Sequence, residues 1–199
     1  MTTLLVSALL GYLLGSLPFA ILISRVFGLA DPRNFGSGNP GATNVLRSGN
    51  KLAALLTLLG DAIKGWLAVF VAGLLGAAAA GVAAAGLAAF LGHVFSAFLK
   101  FRGGKGVATA FGVLTGFHPF FGLAAATTWL IVALVTRYSS LAAIAAAIEA
   151  PFALWIFSHQ PELTAAAAAM SALLIYRHKA NITRLIAGTE MRIGDRKAS

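Results

Sequence analysis

An all-α polytopic membrane protein with seven helical spans, one of them short, is the fold class that three features of this 199-residue sequence predict. Hydrophobic residues make up 59% of the chain and charged residues only 11%, far from the balance of a water-soluble domain. Several separate apolar runs approach the roughly 20 residues needed to cross a hydrocarbon core of about 30 Å. Lys and Arg number 15 against 6 Asp and Glu, and they collect in the polar stretches between alternate runs. In a soluble protein that excess would point to nucleic acid; here it reads as the positive-inside bias of a membrane protein, with no nucleic-acid partner. One domain is expected over residues 1–199. The absence of cysteine excludes thiol nucleophiles, thiolate metal sites and disulfides, and leaves the redox compartment open.

The first run, residues 3–27, has no basic n-region and no small-residue cleavage site, so it is expected to remain as an uncleaved span kinked at Pro18. A polar loop, residues 28–51, follows. Runs 52–75 and 77–98 are separated by Gly76 and its neighbours, which predicts a tight helical hairpin. After the polar patch 100–106 comes a short apolar piece, 107–116, which at about 1.5 Å per residue cannot cross a bilayer and reads as a half-helix ending at depth. Phe117-His118-Pro119 breaks it. Runs 120–136, 141–157 and 163–176 complete the set, divided by Arg137 to Ser140 and by Ser158 to Glu162, and the last opens into a basic tail.

Charge placement orients the bundle. Arg25, Arg33, Arg47, Lys51, Lys100, Arg102, Lys105, Arg137, Arg177, Lys179, Arg184, Arg192, Arg196 and Lys197 all fall on one side if the runs alternate. The connections near Gly76, at 117–119 and at 158–162 carry no Lys or Arg. The basic side is expected to be cytoplasmic, with the N-terminus outside and the C-terminus cytoplasmic. If the fourth and fifth runs formed one broken or re-entrant unit, the changed parity would turn Arg137 and the tail outward against the charge rule, so seven is preferred, with five as the usual hydropathy miscount.

Three polar patches carry the candidate chemistry. The first, residues 35–51, holds four glycines, a proline, three asparagines, two serines, a threonine, an arginine and a lysine between apolar runs. Small residues let backbone N–H groups approach a ligand, and the hydroxyls, amides and cations all bind phosphate oxygens, so this stretch reads as an anion cradle at a membrane surface rather than a merely flexible loop. Gly36-Ser-Gly-Asn-Pro-Gly41 matches G-x-G-x-x-G, but a membrane span precedes it where a dinucleotide site needs a strand. Asn44, Arg47 and Lys51 are expected to share a helix face leading into the second span.

In the second patch His93, Ser96 and Lys100 recur at helical spacing, a polar stripe on the third span, although His93 alone reads more simply as a helix–helix hydrogen bonder. Gly103, Gly104 and Gly106 surround Lys105 and permit a turn whose amides and ammonium converge beside the positive end of the short helix. This is no Walker A loop: Leu99 stands where its first glycine belongs, and Gly106 where Ser or Thr would hold magnesium. In the third patch His178 and Asn181 lie one turn apart and Gly188 is a helix stop; the plainer reading is a basic tail held to anionic lipid. Asp61 and Lys64 would each cost about 2.5 to 3.5 kcal/mol at the membrane centre, so they are expected to pair and face the interior near the site, with Glu149 a weaker case. Joined, the three patches form one positive site suited to phosphate dianions of about −1.5 to −2 charge without a metal. No H-E-x-x-H, aspartate cluster or G-x-S-x-G elbow is present.

Phe35-Gly-Ser-Gly-Asn-Pro-Gly-Ala-Thr-Asn-Val-Leu-Arg47, then Gly92-His-Val-Phe-Ser96 with Phe101-Arg-Gly-Gly-Lys-Gly-Val-Ala-Thr109, then His178-Lys-Ala-Asn-Ile-Thr-Arg-Leu185 with Gly188-Thr-Glu190 resemble the three motifs of the bacterial acyl-phosphate-dependent glycerol-3-phosphate acyltransferase family. The resemblance covers nearly the whole chain in order, length and hydropathy. It implies a seven-helix enzyme of the bacterial inner membrane, its active site on the cytoplasmic face. The reaction implied moves an acyl chain from acyl phosphate to the 1-hydroxyl of glycerol 3-phosphate, giving lysophosphatidic acid and phosphate, the first step of phospholipid synthesis. It also implies no cofactor, no covalent acyl-enzyme, membrane lipid as surroundings, and the enzyme supplying acyl phosphate as a candidate partner. Carried over by motif, Ser37, Arg47, Lys105, Ser140, His178 and Asn181 surround the phosphates, joined by Gly38, Asn39, Asn44 and Gly104. Arg47, Lys105, His178 and Asn181 are the expected catalytic set, and His93, Lys64 and Glu190 support it. The H-x-x-x-x-D box of other glycerol-phosphate acyltransferases is missing, since Phe98 stands five residues after His93. An anion transporter is the rival from another class, but no repeated halves are visible and the polar groups gather on one face rather than at the midplane. A lipid-binding scaffold would account for the tail but not for the glycines around Ser37 and Lys105.

Overall fold

The protein, described by a computed structural model over residues 1–194, is all-helical. Arg196 and Lys197, counted above among the basic-side charges, lie outside the described residues. The first run forms α1 (Thr2–Ser16) and α2 (Phe19–Val26), because Pro18 offers no N–H to continue the helix and Leu17 takes an extended ψ of 120°. A five-residue helix, α3 (Ala42–Leu46), stands inside the first polar loop, and α4 (Lys51–Leu74) and α5 (Ala79–Val94) form the expected hairpin. The short α6 (Val107–Phe117) turns at His118 into α7 (Pro119–Thr136), and α8 (Ser139–Phe157), α9 (Pro161–Arg177) and α10 (Lys179–Ile186) follow.

Capping chemistry sets several of these boundaries. The Asn50 side chain accepts from Ala53 N at 2.9 Å at the start of α4. His118 Nδ1 accepts from Phe120 N at 3.2 Å with Pro119 beginning α7. Gly188, in the left-handed region at φ +68°, closes α10, and Thr189 N returns to Arg184 O at 2.8 Å.

Taken together, α1 and α2 make one of the five segments among the described residues that are long and apolar enough to cross a membrane, the others being α4, residues 79–99, α7 and α8. The remaining two expected runs are helical but shorter: α6 has 11 residues and α9 has 17. Polar connections 27–50, 95–106 and 137–138, together with α10, gather at one end of the bundle. Contacts show the grouping: Lys105 Nζ donates to Asn181 Oδ1 of α10, Thr43 Oγ1 lies 3.2 Å from Ser139 Oγ at the start of α8, and Ile193 N of the tail donates to Arg137 O at 2.7 Å.

Helix packing relies on the absence of side chains where backbones cross. A Cβ on Gly15 of α1 would fall 2.0 Å from Ala89 O of α5, and one on Gly112 of α6 would fall 1.8 Å from Ala62 O of α4. Alanines fill most of the interior around Phe90, Val113 and Leu154, whereas Leu5, Leu9, Leu134, Val135 and Trp155 point outward. Large apolar groups on the outside and small ones between helices are what lipid surroundings favour.

Two expectations need correction. Asn44, Arg47 and Lys51 do not share a helix face, because α3 ends at Leu46 and a turn through Gly49, at φ +88°, separates it from α4. The third span is not helical through Phe98: α5 stops at Val94 and a single 3-10 turn, Ala97–Leu99, follows. The carbonyls of His93 and Val94, which would continue the helix, instead accept from Gly104 N and Gly103 N at 3.1 and 3.0 Å. The stripe of His93, Ser96 and Lys100 is therefore broken, and Ser96 Oγ donates to Ser16 O at 2.6 Å.

Gly112→Val is expected to cost about 1 to 3 kcal/mol by forcing α6 away from α4. The measurement is thermal unfolding of the purified protein in detergent; an unchanged midpoint would mean that the two backbones do not approach this closely.

Candidate active site

The first wall is the loop before α4. Asn44 is almost fully buried, at 2% exposure, and organises it. Its Nδ2 donates to Pro32 O at 2.6 Å and to Phe35 O at 3.1 Å, while Oδ1 accepts from Ser37 N at 2.9 Å and faces Arg47 Nη1 at 3.4 Å. Both amide hydrogens and the oxygen are used inside the loop, so Asn44 holds the loop's shape and has no group left for a phosphate, contrary to expectation. A Cβ at Gly36 would strike Asn44 Oδ1 at 2.2 Å, and the φ of +58° there also requires glycine. The amide cradle needs the same correction. Besides Ser37 N, the Gly38 and Gly41 amides donate to Phe35 O and Asn39 O, both at 2.9 Å. What the loop presents outward are the Ser37 side chain, the exposed Gly38, the half-buried Asn39 and the half-buried Arg47 guanidinium.

The second wall is Gly103-Gly104-Lys105-Gly106. Its first two amides are bonded to the end of α5, and Arg177 Nη2 donates to Gly103 O at 3.2 Å and Gly104 O at 3.4 Å. Gly106, at φ +86°, precedes α6, whose first turn has no side-chain cap, so its N–H groups and partial positive charge lie next to Lys105 as expected.

The third wall closes on the second through one hydrogen bond, from Lys105 Nζ to Asn181 Oδ1. Asn181 Nδ2 donates to Glu190 Oε1 at 2.6 Å, Ser140 Oγ donates to the same oxygen at 2.7 Å, and Arg184 Nε pairs with Glu190 Oε2 at 2.7 Å. Glu190, read from sequence as a supporting residue, is thus the junction of α8, α10 and the tail. Burial raises its pKa, but the bonds from Ser140, Asn181 and Arg184 outweigh that and hold it below the usual carboxylate range.

His178 links α9 to α10 and is 3% exposed. Its Nδ1 lies 2.8 Å from Leu174 O; a carbonyl only accepts, so Nδ1 carries the proton and Nε2 keeps its lone pair. Burial, reinforced by the Lys105 charge, lowers its pKa to about 4, which leaves the ring neutral. Lys105 is lowered to about 8, first by burial and then by Arg184, Arg47 and Arg177, with Glu190 acting in the opposite direction. Arg47 is likewise lowered by burial, raised by Glu190 and lowered by Arg184. These mutual effects place the first wall within the field of the other two.

The structure thus joins Lys105, Asn181, Ser140 and Glu190 directly, and Arg47 through its field. Lys64 and His93 lie deeper: Lys64 Nζ is 2.7 Å from Asp61 Oδ1, the expected pair, and a Cβ on Gly104 would sit 2.3 Å from His93 Nε2. Sequence reasoning missed Arg177 and Thr43, whose roles depend on loop-to-loop contacts that no periodicity encodes. Among the described residues no three His, Asp or Glu side chains gather as metal ligands would. Next to the polar cluster a narrow apolar cavity lies between α6, α8 and α9, lined by Val107, Phe111, Ala143, Ala147, Met170 and Leu174 among others.

A family model described as glycerol-3-phosphate acyltransferase matches residues 5–188. A protein named glycerol-3-phosphate acyltransferase from Burkholderia ambifaria is 58% identical over 196 residues, covering 97% of this chain and 92% of its own length. A relative of the same name from Burkholderia multivorans is 55% identical with the same coverage. A crystal structure of PlsY (YgiH), an integral membrane glycerol 3-phosphate acyltransferase in its glycerol 3-phosphate form, superposes with a TM-score of 0.90 at 39% identity, covering 96% of both chains. The lysophosphatidic acid form of PlsY gives 0.89 at 38% identity, covering 96% of this chain and 95% of that one.

With a pKa of about 8, Lys105 is half-protonated at pH 8 in the free protein. A bound dianion favours the charged ammonium and raises that pKa, so binding takes up protons. Calorimetry of inorganic phosphate binding at pH 8, in buffers of different ionisation enthalpy, is expected to give net proton uptake that disappears in Lys105→Met; equal uptake in the variant would assign the titration to another group.

Proposed function

Because the chain belongs to the glycerol-3-phosphate acyltransferase family, we propose that it transfers an acyl chain from acyl phosphate to the 1-hydroxyl of glycerol 3-phosphate, releasing lysophosphatidic acid and phosphate. The observation that carries this reading is the junction of a cationic cluster with an apolar cavity. Arg47, Arg177, Arg184 and Glu190 all act on Lys105, and among these charges four are cations and one is a carboxylate, a balance that calls for anionic ligands. The cavity lining begins within about one helical turn of that cluster, at Val107 beside Lys105, Ala143 beside Ser140 and Leu174 beside His178. A ligand with a phosphate head and a long apolar tail fits both parts. The glycerol 3-phosphate and lysophosphatidic acid forms of PlsY support an acceptor and a product of these classes.

The phosphate-binding set we assign is Ser37, Asn39, Arg47, Lys105 and Asn181, while Gly38, Asn44, Gly104, Ser140, His178 and Glu190, which are bonded within the protein, shape the walls around it. Acyl phosphate is a mixed anhydride with a good leaving group. The protein therefore needs only to align the acceptor hydroxyl, stabilise the oxyanion and neutralise the departing phosphate. The hydroxyl oxygen forms the new C–O bond, the bond from acyl carbon to the phosphate oxygen breaks, and the hydroxyl proton passes to a substrate phosphate oxygen. His178, with a pKa of about 4, is a weaker base than a phosphate dianion, whose conjugate acid has a pKa of about 6, so the phosphate rather than His178 takes the proton. Attack is direct, without an acyl-enzyme, and steady-state kinetics should be sequential; ping-pong behaviour or a trapped acyl-enzyme would overturn this.

The proposed setting is the bacterial cytoplasmic membrane, with seven spans (α1 with α2, then α4 to α9), the N-terminus outside and the site on the cytoplasmic face. Its support is the gathering of basic residues at one end, opposite turns without Lys or Arg. The enzyme that makes acyl phosphate is the candidate partner. Purified protein given acyl phosphate and glycerol 3-phosphate should release phosphate only when both are present; a transporter or a scaffold would not. Lys105→Met is expected to lower turnover by roughly 100-fold or more while leaving the protein folded in the membrane. Wild-type-like turnover would move the site elsewhere.

A further inference from the structure

Three ionisable side chains lie under the site without reaching the groups assigned to substrate. Asp61 and Lys64 of α4 and His93 of α5 are 3%, 3% and 8% exposed. Lys64 Nζ lies 2.7 Å from Asp61 Oδ1 and donates at 2.7 Å to Leu17 O at the Pro18 break, which also accepts from Phe19 N at 3.1 Å. His93 Nδ1 lies 3.5 Å from the same Asp61 oxygen. Burying an ion pair costs desolvation on both partners, and an apolar trio of similar volume would often be no less stable, so stability alone is a poor reason for this cluster.

Its geometry leads to the second wall. The far nitrogen of the His93 ring abuts Gly104, where a Cβ would sit 2.3 Å from Nε2 and 3.1 Å from Pro40 O of the first loop. The amides of Gly103 and Gly104 are bonded to α5 carbonyls and their own carbonyls to Arg177, so the dipeptide is held above and below. Lys105 is the next residue. Pro18, Asp61, Lys64, His93, Ser96 and Gly104 line a narrow pocket at this point. The ring is nearly enclosed, and Asp61 is its charged neighbour on the α4 side.

We propose that Asp61, Lys64 and His93 form a buried positioning unit that couples the α1 break to Gly104 and thereby sets where Lys105 presents its ammonium to a substrate phosphate. This rests on the acyltransferase reading of the Lys105 site. None of the three touches substrate; each acts through the backbone of the second wall.

The test compares Asp61→Asn/Lys64→Met, in which the pair is removed together so that no lone charge stays buried, with His93→Gln, both in the full-length protein in detergent or nanodiscs. The expected result is a melting temperature close to wild type with KM for glycerol 3-phosphate raised about tenfold, because a displaced Lys105 binds phosphate poorly. A purely structural cluster would lower the melting temperature and the active fraction but leave KM unchanged. Wild-type KM in folded variants, or failure of both variants to fold, overturns the proposal. If the wild-type protein itself shows no turnover of acyl phosphate with glycerol 3-phosphate, the acyltransferase reading fails instead, and the two failures are distinct.

Discussion

Hydrocarbon offers no partner to an open carbonyl or amide, and this chain interrupts its apolar runs where its chemistry is gathered. At the Pro18 break the Leu17 carbonyl accepts from Lys64 Nζ as well as from Phe19 N. At the end of α5 the carbonyls of His93 and Val94 are taken by two glycine amides. At each interruption a polar group from elsewhere in the chain comes to meet the backbone. The demand for backbone satisfaction thus pulls the first helix, the α4–α5 hairpin and the glycine loop together.

Electrostatics acts within that frame. Four cations from separate segments would repel one another, and Glu190 holds Arg184 by an ion pair while raising the pKa that burial and the other cations lower at Lys105. The same carboxylate receives Ser140 and Asn181, so removing it would both increase the repulsion and free three side chains. The site keeps an excess of positive charge, and a dianionic ligand completes the balance.

Packing supplies the apolar half. Glycine and alanine faces let α1 meet α5 and α4 meet α6 at backbone distance, and the alanines of α8 and α9 leave a cavity against α6. Because α6 has only 11 residues, its positive end and the cavity it borders lie close to one another. A charged head and an acyl tail can therefore be held by neighbouring parts of one short helix.

Much of this was legible in the residues themselves. Long apolar runs, the proline at 18, glycine-rich breaks and one-sided basic charge specify an all-helical membrane bundle with a broken first span, since hydrocarbon leaves helices as the economical solution. The spacing of Asp61 and Lys64 foretold their pairing. The interior of each loop was not legible, because its hydrogen bonds run between residues without periodic relation. Tertiary structure decided that Asn44 is consumed inside its own loop, that Arg177 clamps Gly103 and Gly104, and that Glu190 joins three segments. Local sequence carries helix periodicity and chain-breaking chemistry; which donor finds which acceptor across tens of residues is settled only when the helices pack and bring the breaks to one end.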